Sequence, residues 1–154
     1  MNIHQMPGHL IRRLNQISVA AFMEQMAGAQ LALTPVQFAA LSAIRSYPGI
    51  DQATVAGLVA YDRATLGKVI DRLEARDLIQ RRTSRKDRRA RELSLTAAGE
   101  QLYQSALPHV KAIQPVILDG LTKAEQTQFI ALLDKVTLAG NDRSRAPLKT
   151  PPAI

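Results

Sequence analysis

The hydrophobic pattern of the chain changes its period near Leu78, and this change limits the folds that are open to it. Up to this residue, apolar side chains recur at helical spacing. After it, two short segments at 78–83 and 92–95 alternate between apolar and polar residues, which is typical of β-strands. Residues 84–91 between them are almost all polar, so the pattern predicts a β-hairpin with a polar tip.

Two short helices are predicted directly before this hairpin. One runs from about 51 to 59; after a tight break at 60–61, Asp62 caps a second helix that extends to about residue 76. Aspartate is common at the N-cap of a helix because its carboxylate accepts hydrogen bonds from the free N–H groups of the first turn. The apolar faces of the two helices comprise Val55, Leu58, Val59, Leu66, Val69, Ile70 and Leu73. Two short helices followed by a hairpin predict a winged helix-turn-helix, in a fold that is dominated by α-helix (α+β winged helix).

Further helices are predicted on both sides of this unit. Thr34 with Gln37, and Thr122 with Glu125, have the spacing of capping boxes, in which two side chains satisfy free backbone donors reciprocally. Between them, Thr96 can cap a long helix that runs towards residue 119. Pro108 and Pro115 lie inside this helix, and we expect a kink or a break because each proline removes a helical hydrogen bond.

These elements predict one domain, over residues 1–140 of the 154 in the chain. The winged helix-turn-helix covers about 34–99, and dimerisation helices are expected at about 9–29 and 100–139. Residues 141–154 contain three prolines and no periodic pattern, so we predict a disordered tail.

Nearly all of the excess positive charge lies in and beside the predicted hairpin. The chain has a net charge of +7, and seven basic residues and one acidic residue give residues 81–91 a net +6. A run of charges is most often only a solvated surface. Solubility does not require such a concentration in one protrusion, however, whereas phosphate binding benefits from it through the release of counterions. The charge therefore predicts a nucleic-acid partner, and the winged helix-turn-helix predicts that this partner is double-stranded DNA.

The second short helix is predicted to be the recognition helix, which presents its first residues to base edges in the major groove. Its predicted contacts are Arg63, Ala64, Thr65, Lys68 and Arg72. For Arg72, a phosphate contact and an internal ion pair are both open, and the acidic residues Asp71 and Glu74 are interpreted as ordinary helix surface. The hairpin tip would reach the minor groove, where the negative potential attracts arginine. Its predicted contacts are Arg85, Lys86, Asp87, Arg88 and Arg89.

The sequence argues against an enzyme. It has no Gly-x-Gly-x-x-Gly, P-loop, His-Glu-x-x-His or Gly-x-Ser-x-Gly element, and no paired carboxylates are evident. The absence of cysteine excludes disulfides, thiolate metal sites and thiol-based oxidant sensing. His4, His9 and His109 do not have a metal-ligand spacing, so neither a metal nor another cofactor is expected.

Membrane and single-strand binding are also disfavoured. No apolar run reaches the length of a membrane span, and the N-terminal residues lack the order of a signal peptide, so we expect a cytoplasmic protein. The basic run lies on a hairpin rather than on the amphipathic helix that a membrane-surface protein needs. Aromatic residues make up only 4% of the chain, which leaves few platforms for stacking of unpaired bases.

Three segments together resemble the signature of the MarR (multiple antibiotic resistance regulator) family. They are residues 73–81, residues 84–89 (Ser-Arg-Lys-Asp-Arg-Arg) and residues 93–99 (Leu-Ser-Leu-Thr-Ala-Ala-Gly). The Asp-x-Arg wing pattern followed by Leu-Thr-x-x-Gly is the most specific part, and the resemblance extends over about 10–139. Asp77 departs from the pattern, since the family usually has glycine there. Aspartate tolerates the left-handed conformation better than most residues, so the fold is not in question.

The resemblance implies a dimer that is formed by the first and last helices, with one winged module per protomer on a pseudo-palindromic site. It also implies that Arg89 is the wing arginine, held near Asp87. The broad apolar stripes of the terminal helices favour a dimer independently. The predicted function is therefore a sequence-specific, homodimeric repressor of a catabolic or efflux operon that a small ligand releases from DNA. The alternative is an architectural protein that binds DNA without sequence preference or effector.

For the ligand, the resemblance implies a pocket between the dimerisation helices and the DNA-binding lobe. Similar proteins whose recognition helix starts with Asp-Arg-Ala-Thr often respond to aromatic carboxylic acids or their derivatives. His9 and Arg13 are i, i+4 neighbours, and a cation near Phe38 and other apolar residues could bind a carboxylate. Ser42 and Arg45 on the next helix are weaker candidates. That the arginines of the first helix only form a solvated patch or dimer ion pairs is equally open.

Overall fold

A computed structural model describes residues 2–150 of the chain. In this part it has six α-helices, three short strands and two one-turn 3-10 helices at Ile3–Gln5 and Asn141–Arg143. The longer elements are α1 (Pro7–Gly28), α2 (Pro35–Ser46), β1 (Ile50–Asp51), α3 (Gln52–Leu58), α4 (Arg63–Ala75), β2 (Ile79–Thr83), β3 (Arg91–Leu95), α5 (Ala97–Ile117) and α6 (Lys123–Ala139). The predicted fold class, a helix-dominated chain with a winged helix-turn-helix, is confirmed.

Several helices begin at the residues that the sequence predicts. The Thr34 hydroxyl accepts from the backbone N–H of Gln37 at 3.3 Å, and the Gln37 side chain accepts from the Thr34 N–H at 3.0 Å. Thr122 and Glu125 form the same reciprocal pair at the start of α6. Asp62 caps α4 by accepting from the Thr65 N–H at 2.9 Å. These contacts span only three residues, which is why the sequence alone reveals them.

The sheet has the strand order β1-β3-β2, and both pairs are antiparallel. Ile79 lies opposite Leu95 in the predicted hairpin. The two-residue strand β1 was not predicted, because it is too short to show an alternating pattern. It pairs Ile50 with Leu93, which is fully buried, and so connects the base of the hairpin to the helices in front of it.

The core lies between α2, α3, α4 and the sheet. All four predicted apolar residues of α4 are buried there: Leu66, Val69, Ile70 and Leu73. They pack in one cluster with Leu41 and Ile44 of α2 and Val55 of α3. Because this face of α4 is fixed against the core, the opposite face and the first turn must point to solvent.

Helix α5 continues through both prolines, so of the two outcomes expected there, a kink or a break, the break does not occur. Tyr103, Ala106 and Ile113 form one buried face on both sides of Pro108. Each proline removes only the hydrogen bond of its own missing N–H group, and both prolines are exposed. The carbonyl groups that they leave free can therefore bind water, and side-chain packing keeps the helix in one piece.

Two turns around α4 use left-handed backbone at residues other than glycine. Asp77 has φ +56° directly after the helix, as the resemblance to the family led us to expect. The chain closes there with hydrogen bonds from the N–H of Asp77 to Glu74 O and from the N–H of Leu78 to Leu73 O. Ala60 has φ +53° in the turn between α3 and α4, which makes the break that the sequence predicted at 60–61.

The terminal helices leave much apolar surface uncovered within one chain. Helix α6 has no buried residue, and in α1 only Phe22 and Met26 are buried. The exposed apolar residues of these helices include Leu10, Ile11, Ile17, Ile130, Leu132, Leu133, Val136 and Leu138. An apolar groove of ≈ 890 Å³ lies between the first half of α1, the end of α5 and α6.

The chain after α6 differs from the predicted disordered tail over residues 141–150. Asn141 makes two hydrogen bonds to Leu148, through its amide nitrogen at 2.9 Å and its amide oxygen at 2.8 Å. The backbone N–H of Lys149 then donates to the carbonyl oxygen of Gly57 in α3. These contacts link residues distant in sequence, which local composition does not reveal. Residues 151–154, which the same prediction included, lie outside the described residues.

Candidate nucleic-acid interface

The first turn of α4 presents the predicted recognition residues to solvent. Arg63, Ala64, Thr65 and Lys68 are all exposed, whereas Leu66 between them is fully buried. The Thr65 hydroxyl donates to the Asp62 carboxylate at 2.7 Å, so its proton is already engaged in the helix cap. The methyl group of Thr65 remains available for a contact with a thymine methyl group.

A concave surface lies between the start of α3, the start of α4 and the wing, and it encloses a volume of ≈ 360 Å³. The residues that line it include Asp51, Gln52, Ala53, Arg63, Asp87, Arg89, Ala90 and Arg91. The structure therefore brings Arg63 of the predicted recognition helix to the same surface as Arg89 of the wing. Gln52, Ala53 and Arg91 were not among the predicted contacts. The signal for Arg91 was its place in the basic run, whereas no sequence signal singled out Gln52 or Ala53.

The wing tip is held by side-chain to backbone hydrogen bonds. The Ser84 hydroxyl is buried and accepts from the N–H groups of Lys86 and Asp87 at 3.2 and 3.3 Å. The Asp87 carboxylate accepts from the backbone N–H of Arg89 at 2.9 Å. Asp87 thus lies beside Arg89, as the resemblance implied, but the contact that the structure gives is to the backbone. The carboxylate fixes the turn, and the exposed Arg89 side chain extends from it.

Arg81 is part of the basic run in the sequence, but in the structure its side chain contacts acidic residues of α4. Its guanidinium donates to Asp71 at 2.6 Å and to Glu74 at 2.9 Å, and both acids lie on α4. The hydrogen bond from Arg81 holds the pKa of the Glu74 carboxyl below its usual range. Arg81 is therefore neutralised by α4, and Asp71 and Glu74 are surface residues of the helix that carry an internal ion pair. The free charge of the hairpin comes from residues 82–91.

The remaining predicted DNA contacts are exposed. Arg85, Lys86 and Arg88 lie at the wing tip, and Arg72 lies on the solvent side of α4. Within residues 2–150, no carboxylate lies within 4.0 Å of the Arg72 guanidinium. Of the two roles that the sequence left open for Arg72, the internal ion pair is not formed in this part of the chain, and the phosphate contact stays a prediction.

Three of the predicted ligand residues lie on α2, and two of them contact α5. Phe38 stacks on Tyr103 with ring centroids 5.2 Å apart and an interplanar angle of 10°. The Arg45 guanidinium lies 5.2 Å from the centre of the same ring and is paired with Glu100 at 2.8 Å. Ser42 is half-buried and lies on α2 with Phe38 and Arg45. Tyr103 was not predicted here, because nothing local in the sequence pairs it with Phe38.

The other two ligand residues lie elsewhere. Phe38 contacts Phe22 of α1, with ring centroids 6.4 Å apart. His9 precedes Phe22 by 13 residues, or about 20 Å along a helix that rises 1.5 Å per residue. Arg13 is exposed near that end of α1, and the His9 ring faces His4 at 5.5 Å. The structure therefore does not bring the five predicted ligand residues together within one chain.

Two further structural findings bear on other classes of site. Among residues 2–150, none of the helices combines the length and apolar character that crossing a bilayer requires. In the same part of the chain, His, Asp and Glu side chains do not gather in groups of three that could hold a metal ion.

The chain is similar to known proteins over most of its length. A sequence model described as the MarR family matches residues 33–90. The HTH-type transcriptional repressor NicR of Pseudomonas putida is 31% identical over 135 residues, which cover 88% of this chain and 84% of NicR.

Among the similar solved structures, two cover most of this chain. The PcaV transcriptional regulator of Streptomyces coelicolor, solved in complex with its natural ligand, superimposes with a TM-score of 0.82 and 30% identity over 91% of this chain and 97% of PcaV. The second is BpsR of Bordetella bronchiseptica, whose DNA binding is regulated by 6-hydroxynicotinic acid. It gives a TM-score of 0.83 and 32% identity over 89% of this chain and 96% of BpsR. The fold, the basic winged surface and these similarities together show that the chain belongs to the MarR family of transcriptional regulators.

Proposed function

We propose that this protein is a homodimeric repressor that binds a specific double-stranded DNA site and is released from it by a small aromatic acid. The observation that carries the proposal is the concave surface on which Arg63 of α4 and Arg89 and Arg91 of the wing meet. A helix that presents its first turn beside a basic hairpin matches the width of a major groove and the minor groove next to it.

The two parts of this surface have different tasks in the proposal. The first turn of α4 enters the major groove, where Arg63 and Lys68 can donate to guanine and Thr65 can contact a thymine methyl group. The exposed wing arginines reach the minor groove, whose negative potential is strongest where the groove is narrow. Arg72 and the remaining wing cations bind phosphates, which orient the protein but carry no sequence information.

The proposed dimer interface is the apolar surface of α1, α6 and the end of α5. These helices expose a row of large side chains around the apolar groove, including Leu10, Ile11, Ile130 and Leu133. A contiguous apolar surface of this kind is typical of a protein interface. Two-fold symmetry would place the two α4 helices about one turn of B-DNA, roughly 34–36 Å, or a multiple of it, apart.

The proposed effector class is an aromatic carboxylic acid or a derivative. BpsR, which is similar over nearly the whole chain, responds to 6-hydroxynicotinic acid. Of the arginines considered for the effector, Arg45 is already paired with Glu100, whereas Arg13 is exposed and has no carboxylate within 4.0 Å in residues 2–150. Arg13 with His9 is therefore the better candidate to bind the carboxylate of the effector.

Arg13→Ala is expected to leave operator affinity unchanged and to raise the effector concentration needed for half-release at least tenfold. The reason is that a charge-assisted hydrogen bond contributes roughly 1.5–3 kcal/mol. Titration of the effector into a preformed protein–DNA complex measures the change. Arg45→Ala is the matched variant and should shift release less. If the effector released the Arg13 variant from DNA at the same concentration as the wild-type protein, Arg13 would not bind the effector and would be only part of a solvated patch.

Lys68→Ala is expected to relax base preference at one position of each half-site. A good base contact contributes about 1–3 kcal/mol of discrimination, and its loss should leave the other positions as selective as before. Affinities measured on duplexes that carry each of the four bases at each position check this. An equal loss on every duplex would identify Lys68 as a phosphate contact instead.

The alternative, an architectural protein, shares the basic wing but not the sequence preference. Fluorescence anisotropy at near-physiological salt distinguishes the two, with a duplex from upstream of the protein's own gene and a scrambled duplex of equal length. A preference of about 10³-fold or more supports the regulator, and a panel of aromatic acids can then be added to the same complex. Equal, salt-sensitive binding to both duplexes would favour the architectural protein.

A further inference from the structure

The segment after α6, residues 141–150, folds onto the helix-turn-helix unit. A one-turn helix at Asn141–Arg143 begins it, and the Asn141 side chain holds Leu148 through two hydrogen bonds. This pair of contacts closes residues 141–148 into a loop. The chain that leaves the loop at Lys149 is directed against α3.

Lys149 makes the docking contact. Its backbone N–H donates to the Gly57 carbonyl oxygen at 2.9 Å, and its side-chain carbons lie over the Gly57 backbone. A Cβ atom at position 57 would come within 3.0–3.2 Å of three of these carbons. The absence of a side chain at Gly57 is thus what lets the segment approach α3 so closely.

The same loop places Arg145 beside the start of the recognition helix. The Arg145 guanidinium lies 3.8 Å from the Asp62 carboxylate, which caps α4. Hydrogen bonds from Thr65, and to a smaller extent the charge of Arg145, lower the pKa of Asp62. This carboxylate is therefore negative at neutral pH, directly before the residues that face the DNA. The Arg145 side chain is 87% exposed, so it is not fixed by the ion pair and has room for a second partner.

We propose that the loop after α6 adds Arg145 to the DNA-binding surface, where this side chain offsets the charge of Asp62 and binds a backbone phosphate next to the major groove. The inference rests on the proposed DNA-binding function and extends its surface beyond α4 and the wing. An exposed ion pair of this kind contributes little to the stability of the free protein, so stability alone does not explain why Arg145 lies beside Asp62. When the first turn of a helix enters the major groove, a cation beside that turn lies close to the backbone phosphates that border the groove.

The test compares full-length variants on one operator duplex at several salt concentrations. Arg145→Ala is expected to weaken binding roughly three- to tenfold and to reduce the slope of log affinity against log salt by about 2, because a dimer loses two phosphate contacts. The loss should be equal for operator and mutated half-sites, as expected for a backbone contact. Arg143→Ala removes the same charge from the same segment and should change affinity less than twofold.

Asn141→Ala tests whether the folded loop positions Arg145. It removes both hydrogen bonds to Leu148 and should weaken binding as Arg145→Ala does, whereas the double variant should be no weaker than either single variant. Helix content and the melting temperature verify that the variants fold. Wild-type affinity for Arg145→Ala, equal losses for Arg143→Ala and Arg145→Ala, or additive losses in the double variant would each overturn the proposal. If the wild-type protein itself does not bind the operator, the proposed function fails as well.

Discussion

Arg89→Ala is expected to weaken operator binding by about 1–3 kcal/mol, which corresponds to roughly 5- to 150-fold in affinity. The backbone of Arg89 is fixed by the Asp87 carboxylate at 2.9 Å, and its side chain lines the concave surface with Arg63. Because the turn that presents the guanidinium is already ordered, little backbone freedom would be lost in the proposed minor-groove contact. Anisotropy titrations on the same operator duplex measure the loss.

The control for this variant is Arg76→Ala. It removes the same charge at the opposite end of α4, 13 residues or about 20 Å from Arg63, and should change affinity less than twofold. Both variants should melt within a few degrees of the wild-type protein, since both side chains are exposed. Undiminished affinity in a folded Arg89→Ala protein would remove this residue from the interface.

Gly99→Ala should destabilise the protein by about 3 kcal/mol, at the upper end of what overpacking usually causes. A Cβ atom at position 99 would lie 1.9 Å from the Leu78 carbonyl oxygen, a backbone atom that cannot move alone. The Thr96 hydroxyl and N–H donate at the same junction, to Asp77 O at 2.6 Å and to Leu78 O at 3.1 Å. To relieve the clash, α5 must move away from the start of β2 and weaken both bonds.

For a chain of this size, the change predicts a melting temperature lowered by roughly 6–12 °C at a fixed protein concentration. Gly28→Ala is the matched control, because a Cβ atom there meets nothing within 4 Å and alanine favours the helix. This variant should melt at or slightly above the wild-type temperature. A Gly99→Ala protein that is as stable as the wild type would show that α5 and β2 are not in close contact in solution.

The elements that the sequence predicted are those whose causes are local. Asp62 with Thr65, and Thr34 with Gln37, meet over three residues, so a short motif is enough to locate a helix start. The α4 core face follows from its 3.6-residue period, and this face determines which residues of the recognition helix remain exposed. The exposure of Arg63, Thr65 and Lys68, the proposed base contacts of α4, was therefore predictable before the structure.

The features that the sequence did not reveal depend on contacts between distant residues. Arg81 counts as a free cation in the sequence, whereas Asp71 and Glu74 neutralise it across the junction of α4 and β2. The stacking of Phe38 on Tyr103 joins residues 65 positions apart, and the contact between Lys149 and Gly57 spans 92. Helix α5 persists through Pro108 because of its buried face, which overrides the local effect of proline.

The most direct test of specific DNA binding by the dimer is the selection of bound duplexes from a random library. This experiment does not require the operator to be known. Sequencing after several rounds should reveal an inverted repeat whose half-sites are centred about 10 base pairs, or a multiple of it, apart. Lys68→Ala should lose the preference at one position of each half-site. Recovery of duplexes without any common sequence, at affinities that depend only on salt, would contradict a dimer that reads specific DNA with α4.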